Sequence, residues 1–485
     1  MKIPLASATY EGRYRSLSAQ KRINWIVEVD RTPERSPVAV APRPGLKLWK
    51  ESLGSQSIRG LHTIQQGASA GAALYVVMGS TLYSIDQEKT ATSLGTLNSG
   101  SDAVTMEDNG VDLVISDGQY QSSTAETYVY ETDTSTFKKL NDSTDAGYDS
   151  AAPRSSHAVF LDSYILLNSI NTGEFYISAS DDASSWDGTY ATAESNPDNL
   201  IAMAALRGEL WLFGELGTEV WANEAAAGMP FSPIRGASIE YGCSAPRSVA
   251  KAEGRLLWLA KNRQGQHRVV MTEGYQALPI SDAKLEYHLG TYATFTDAVG
   301  FTFFLEGHTF YVLSFPTANA TWVYDLATGF WGEWQTASGR WLAGCYAFAF
   351  NKHLVGDYQT GNIYELDLQT YTDNTTAITR TLTTPHLTND RGYLFCDYLE
   401  AEFEPGIGAP TGQGSDPQAM LRVSRDGAMT WGNEHWRSVG AQGNYLTRAR
   451  WPKLGRSRDF VFELTVSDPV KWVLLGLTAK IRPGR

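Results

Sequence analysis

A chain of 485 residues, 42% apolar and 19% charged, can form one large domain and a smaller one, and wholesale disorder is excluded. Its formal charge of −13 argues against a domain that reads duplex DNA, because Lys and Arg must displace condensed counterions for such binding. With 14 Trp, 24 Tyr, 18 Phe and 44 Gly, aromatics for sheet faces and glycines for tight turns are abundant, so the chain reads as mostly β.

Residues 1–60 read as an extended N-terminal arm. Prolines cluster at Pro33, Pro37, Pro42 and Pro44, which breaks helix and weakens sheet pairing. One apolar run, "INWIVEVD", is suited to join another sheet, on the chain's own domain or on a neighbouring subunit. This arm is basic, with 11 Lys/Arg against 5 Asp/Glu. Residues 61–162 reverse the balance with 14 acids and 4 bases, and residues 437–485 return to 10 bases against 3 acids. Two basic ends and an acidic middle suit contacts with neighbours of opposite sign, although solubility alone accounts for them equally well.

From Leu74 onward, short apolar runs meet turns and return. "LYVVMGSTLYSID" turns at Gly79-Ser80, and "VDLVISDGQYQ" carries Asp117-Gly118 as an expected hairpin turn. "AETYVYETDTSTFKKL" can supply the outer strands of that second unit. "YILLNSINTGEFYISAS" follows after a polar loop over 141–156. Three more hairpins begin at the polar-glycine corners Arg207-Gly208, Glu253-Gly254 and Glu306-Gly307, and a last one turns at Thr360-Gly361. The units start near Leu74, Val111, Tyr164, Leu210, Leu256, Phe310 and Leu354, at the spacing of propeller blades. A lone blade leaves its faces exposed, and closing blades round an axis buries them. The expected fold is therefore all-β: a six- or seven-bladed β-propeller over 61–380, the count depending on whether one blade is split between chain ends. A large irregular β-sandwich is the plain alternative. From 381 to 485, "FCDYLEAEFEPG", "PQAMLRVSRDGAMTWG" and "DFVFELTVSDPVKWVLLGLTAKI" alternate like an antiparallel β-sandwich, interrupted by the Gly/Pro loop 405–417.

Few motifs carry chemistry. "SRDGAMTW" resembles the Asp-box hairpin, with Ser424, Asp426, Thr430 and Trp431 in place and Ala428 where glycine is usual. That motif is structural: its Asp accepts turn N–H groups and its Trp packs beneath. A looser echo, "SDDASSW", ends at Trp186. Asp boxes occur in sialidases, which are propellers, but no acid here lies in a recognisable catalytic motif and no GxSxG is present. Eight scattered His without HExxH spacing give no metal site, and no phosphate loop or cofactor motif is legible. Cys243, Cys345 and Cys396 are too far apart to suggest a disulfide framework and read as reduced core residues. Sequons at Asn141, Asn319 and Asn374 read as chance. No signal-peptide core or membrane-length apolar run is visible, so manufacture and folding in a cytoplasm, without membrane insertion, are expected.

Several longer stretches resemble the packaged-DNA stabilisation protein of short-tailed phages, also called the tail hub or nozzle. They include "SLSAQKRINW", "LRGELWLFGELGTEVWAN", "FSPIRGASIEYGCSAPRSVAK", "LLWLAKNRQGQHRVVMTEGYQ", "HTFYVLSFPTANATWVYDLATG", "NKHLVGDYQTGNIYELDLQTYTD" and "DPVKWVLLG". They span most of the chain and thin out between 98 and 162. The resemblance implies a non-enzymatic virion component, assembled in the host cytoplasm. It implies a six-fold ring of self-associated chains docked below the portal and its adaptor, extending the DNA channel and supporting the tail needle or fibres. Double-stranded DNA would then pass through the ring's lumen without sequence-specific binding. The acidic segment suggests lumen-facing acids, with Asp102, Asp108 and Asp112 as candidates, and basic ends turned to adaptor or neighbours. A sialidase-like glycosidase and a monomeric scaffold propeller are the competing expectations. They predict turnover of a glycoside and peptide binding by a stable monomer, respectively.

Overall fold

The computed structural model describes every residue except 7–10, 31–36, 65–72, 99, 121, 141–150, 338, 391 and 485, and the side chain at 284. Pro33, the sequon at Asn141 and most of the polar loop 141–156 therefore lie outside the described residues. Seven mostly four-stranded antiparallel sheets stand round an axis. Their innermost strands are Ile58–Thr63, Thr105–Asp108, Ala158–Leu161, Leu200–Leu206, Ala250–Ala252, Val299–Leu305 and Ala343–Ala349. Each next strand outward, from Leu74–Met78 to Lys352–Asp357, coincides with one of the seven units expected from the sequence. Among the described residues the blades number seven. The inner strands touch successively round the ring, the fourth meeting the fifth blade through the short turn Pro246–Ser248, and the last meets the first.

The repeated hairpin corners explain the pairing. Arg207, Glu253 and Glu306 have φ of 56°, 50° and 52°, and Gly208, Gly254 and Gly307 follow at 80°, 69° and 84°. Two successive left-handed residues match the twist of the paired strands, and glycine adopts the second without strain. Asp117-Gly118 behaves differently. Its strand ends at Ser116 and the next begins at Thr127, so these residues open a longer connection and not a tight turn. Apolar side chains fill the gaps between blades. Ile58, Leu74 and Val76 of the first blade pack on Ala347, Leu354 and Ile363 of the seventh.

The described residues among 1–60, expected as an arm, instead contribute strands to both parts of the fold. Gly45–Lys50 pairs antiparallel with Ile363–Asp367 and so supplies the outer strand of the seventh blade. Trp25–Val29 and Val38–Pro42 pair together and join the sandwich sheet through the C-terminal strand Leu474–Pro483. Lys21–Ile23 enters the other sandwich sheet beside Arg380–Thr383. The signal for this was present: Trp25, Val27 and Val40 are apolar and buried in the sandwich core with Leu399, Trp451, Phe462 and Trp472.

Blade and sandwich share one sheet. Phe330–Glu333, the outer strand of the sixth blade, meets Lys21–Ile23 in parallel through Glu333 and Ile23. The same sheet then runs into the sandwich. At this junction Arg43 is fully buried and forks onto Asp373, with distances of 2.9 and 2.6 Å. It also donates to Asn24 Oδ1 at 2.8 Å and Gln335 O at 2.9 Å, beneath the Trp334 and Trp341 rings. Arg380 is buried nearby, and its pKa is pushed down to about 9 by burial and then by the charge of Arg43.

His308 forms a second clasp. Its Nδ1 faces Asp325 Oδ2 at 2.8 Å and its Nε2 faces Glu28 Oε2 at 3.2 Å, tying the sixth blade to the sandwich strand Trp25–Val29. Hydrogen bonds to Asp325, then Glu28, raise its pKa from 6.5 to about 10. A raised folded-state pKa stabilises below the unfolded value, so this contribution is complete below about pH 6.5 and lost as pH climbs toward about 10. Thermal melts from pH 6 to 10 should therefore separate native protein from His308→Gln at the acid end and converge at the alkaline end. A constant separation would assign the clasp to uncharged contacts.

Candidate functional site

The axial pore is a cavity of about 460 Å³ touched by inner strands of all seven blades. One mouth is bridged. Arg59, on the first inner strand, donates to Asp102 O at 2.5 Å, to Gly79 O at 2.8 Å and to Asp117 O. Arg247, just before the fifth inner strand, reaches across the axis to Gly118 O, and His157 Nε2 faces Pro246 O at 2.9 Å. Burial lowers the Arg59 pKa to about 10. Burial, aided by Arg247, pushes His157 down to about 4, and burial raises Glu107 to about 7. These are the shifts of a poorly solvated interior. The longer connection opened by Asp117-Gly118 provides the carbonyls that hold both arginines, which a tight turn could not. A duplex cannot thread a pore crossed by side chains, so any DNA path lies outside the propeller axis.

The more distinctive feature is electrostatic. In each blade the turn after the first strand and the turn after the third lie on the same face, because the strands are antiparallel. That face presents exposed Glu88, Asp133, Asp162, Asp181, Asp182, Glu224, Glu253, Glu273 and Glu306, drawn from the first six blades. Cross-blade bonds confirm the shared side: Asn109 Nδ2 donates to Asp181 O at 3.5 Å, and Asn223 Nδ2 to Asp162 Oδ2 at 3.2 Å. Exposed Lys89, Arg207 and Arg255 offset the acids only in part. The opposite face mixes signs, with Arg154, Arg235 and Arg263 beside Asp102, Glu194 and Glu240.

The three acids singled out in the sequence do not share a surface. Asp102 is exposed at the bridged mouth. Asp108 ends the inner strand on the acidic face, where its carboxylate binds His62 Nε2 at 2.6 Å. Asp112 is buried, accepting from Ala183 N at 3.1 Å and Asn109 Nδ2 at 3.1 Å, and burial raises its pKa. The acidic face was nonetheless hinted at by the corners Glu253-Gly254 and Glu306-Gly307, whose first residues must point to solvent at one end of each hairpin.

Ser424, Asp426 and Thr430 close a hydrogen-bonded turn. Asp426 Oδ1 accepts from Thr430 N at 2.9 Å and from Ser424 Oγ at 2.7 Å, and Ser424 Oγ accepts from Ala428 N at 2.8 Å. The Thr430 bonds lead in holding Asp426 down to about 2. Ala428 adopts φ of 66°, the conformation that makes glycine usual there. Its methyl packs with Ala19 and Val461, and Trp431 lies alongside. In the echo, Asp182 Oδ1 accepts from Ser184 N at 2.9 Å, and Trp186 Nε1 donates to Ala183 O at 3.0 Å. Both arrangements use their carboxylates to hold turns. The three cysteines are free, and burial raises the thiols of Cys243 and Cys345 to about 12 and that of Cys396 to about 11. Among the described residues no cluster of His, Cys, Asp and Glu could hold a metal, and no helix is long and apolar enough to cross a membrane.

Comparison with known proteins gives a consistent family assignment. Residues 1–371 match the model described as "Bacteriophage P22 Gp10, beta-propeller", and residues 379–482 match "Bacteriophage P22 Gp10, beta-sandwich". No curated protein matches. Among solved structures, the extracellular domain of a hybrid two-component system from B. thetaiotaomicron is 8% identical at a TM-score of 0.43, over 80% of this chain and 44% of that one. PorZ of the type-IX secretion system of Porphyromonas gingivalis is 10% identical at 0.37, over 66% and 38%. The WD40 propeller domain of Doa1 is 9% identical at 0.40, over 66% and 96%. The chain thus spans less than half the length of the first two structures.

Proposed function

The chain belongs to the bacteriophage P22 Gp10 family and is a structural protein of a phage tail; from that premise we propose that it is the tail hub. In this reading six copies form a ring below the portal and adaptor, extend the DNA channel, retain packaged DNA and support the needle or fibres. A closed ring needs one interface repeated head to tail, and rigid blocks serve that purpose. The welded junction between propeller and sandwich makes such a block, because one sheet and a buried ion pair span the two. Both carboxylate turns use their acids to hold backbone, and the family match supports the tail role over the sialidase-like one.

The observation that carries the reading is the acidic turn face. We propose that it lines the lumen, where like charge keeps the DNA backbone from sticking during ejection. Glu88, Glu224 and Glu273 are exposed on that face and are better probes than Asp112, which is buried. Changing all three to Lys in assembled particles should slow DNA ejection, with the largest effect at low salt. Normal assembly with unchanged ejection would remove the lumen assignment.

A further inference from the structure

Resting on the hub reading, we propose that the outer face of one sandwich sheet is a duplex-DNA backbone contact, independent of base sequence. This face is carried by Leu394–Phe403, Ala449–Ser457 and Leu474–Pro483, with Leu394–Phe403 between the other two. Register places Phe395 between Arg456 and Arg482, Tyr398 between Pro452 and Lys480, and Glu400 between Arg450 and Thr478. Two parallel rows of cations thus flank a central strand.

Of the three acids on the central strand, Asp397 and Glu400 sit against cations, and Glu402 is exposed at the end of the strand beside Gly476. Asp397 accepts from Arg482 at 2.7 to 3.0 Å and lies near enough to Lys480 to feel its charge. Glu400 lies 3.6 Å from Arg448. Among the described residues, Arg450, Lys453, Arg456, Arg458 and Lys480 are exposed and form no salt bridge. Three of them rest on tyrosine rings. The Arg450 guanidinium is 3.6 Å from the Tyr398 centroid, and those of Arg456 and Arg458 are 5.0 and 4.7 Å from that of Tyr393. A guanidinium held against a ring keeps its N–H edge for phosphate and loses less freedom on binding.

This composition separates a nucleic-acid contact from a protein-docking face. The core of a protein interface is depleted in charge and built on apolar anchors. Here the exposed anchors reduce to Phe395 and Pro452 among the cations. Protein–DNA interfaces are polar and much more positive, which fits this surface. On a chain of net charge −13 the concentration is local. An acidic conduit with one basic collar would let DNA slide and yet hold it at rest.

The test uses the full-length chain and a fluorescent 30-base-pair duplex, with anisotropy measured across a salt series. The expected slope of log affinity against log salt is about −0.9 per phosphate engaged, and two unrelated duplexes should bind alike. Arg450→Glu with Arg456→Glu and Arg458→Glu should cost at least about tenfold in affinity at low salt and flatten the slope. Arg207→Glu with Arg255→Glu, on the acidic propeller face, should not weaken binding. The milder Arg450→Gln/Arg456→Gln/Arg458→Gln chain should show an intermediate loss if the triple reversal folds poorly. Ring assembly on portal–adaptor complexes is read in parallel. Reversed chains that bind DNA normally overturn the proposal, and if they also fail to assemble, the face is a protein contact. Loss of ring assembly in the native chain would overturn the hub reading itself, whatever the DNA result.

Discussion

Replacing Asp373 with Ala should destabilise the junction by about 3–5 kcal/mol, because removing one partner of a buried ion pair leaves the other charge unsolvated. The setting is unusually severe. Arg43 and Asp373 have side-chain exposures of 0% and 1%, and Arg380, also buried, keeps Nε and one terminal nitrogen without partners. Without Asp373 two guanidiniums would face each other in the interior with only carbonyl and amide oxygens to balance them. Thr336 would also lose its acceptor. Trp334 and Trp341 lie against Arg43 and are two of the 14 Trp, so intrinsic fluorescence during denaturant unfolding follows a loss of structure that includes this place. A double change, Asp373→Ala with Arg43→Met, should recover part of the loss, since no charge is then stranded. A single-variant cost below about 1 kcal/mol would mean that water reaches the pair.

Removal of residues 1–50 should abolish the folded state. Those residues close the seventh blade and complete the sandwich at the same time. Trp25, Val40, Leu46 and Trp49 are at most 5% exposed, and each contributes about 1.5–3 kcal/mol of apolar burial. Their sum approaches the whole stability of a typical domain, about 5–15 kcal/mol. The truncation would also leave Ile363–Asp367 as an open edge, which invites aggregation. Gly45 adds a local constraint: a Cβ there would stand 2.2 Å from the Thr370 carbonyl oxygen, so the strand enters through a slot that only glycine fits. Circular dichroism and limited proteolysis of the truncated chain, with and without a synthetic 1–50 peptide, would check this. A truncated chain that melts like the intact one would contradict the closure argument.

These two predictions mark where the sequence was legible and where it was not. The second strand of every blade was visible, because it is buried on both faces and reads as a continuous apolar run, as in "LYVVM" or "ELWLFG". The first strands escaped notice. "TMED" and "AKA" carry no apolar run, whereas "LIAMAAL" and "VGFTFFL" do, but each runs straight into a hairpin corner and was read only from the strand that follows it. The closing strand was obscured by distance, since Gly45–Lys50 pairs with residues more than three hundred positions later and nothing in its local pattern names that partner. Proline content suggested an arm, but Pro42 ends a strand and Pro44 immediately precedes one, positions that proline tolerates. At the candidate site, charge by segment pointed to an acidic middle. It could not say that Asp112 is buried while Asp133 and Asp162 are exposed, because that depends on which residues fall in turns on one face.

Electron microscopy of the purified full-length chain, alone and mixed with a portal–adaptor complex, tests the central claim most directly. A six-fold ring seated below the adaptor, with the acidic turn face toward an open central channel, is the predicted result. Isolated monomers that never join the complex, particularly if they cleave a fluorogenic glycoside, would contradict it.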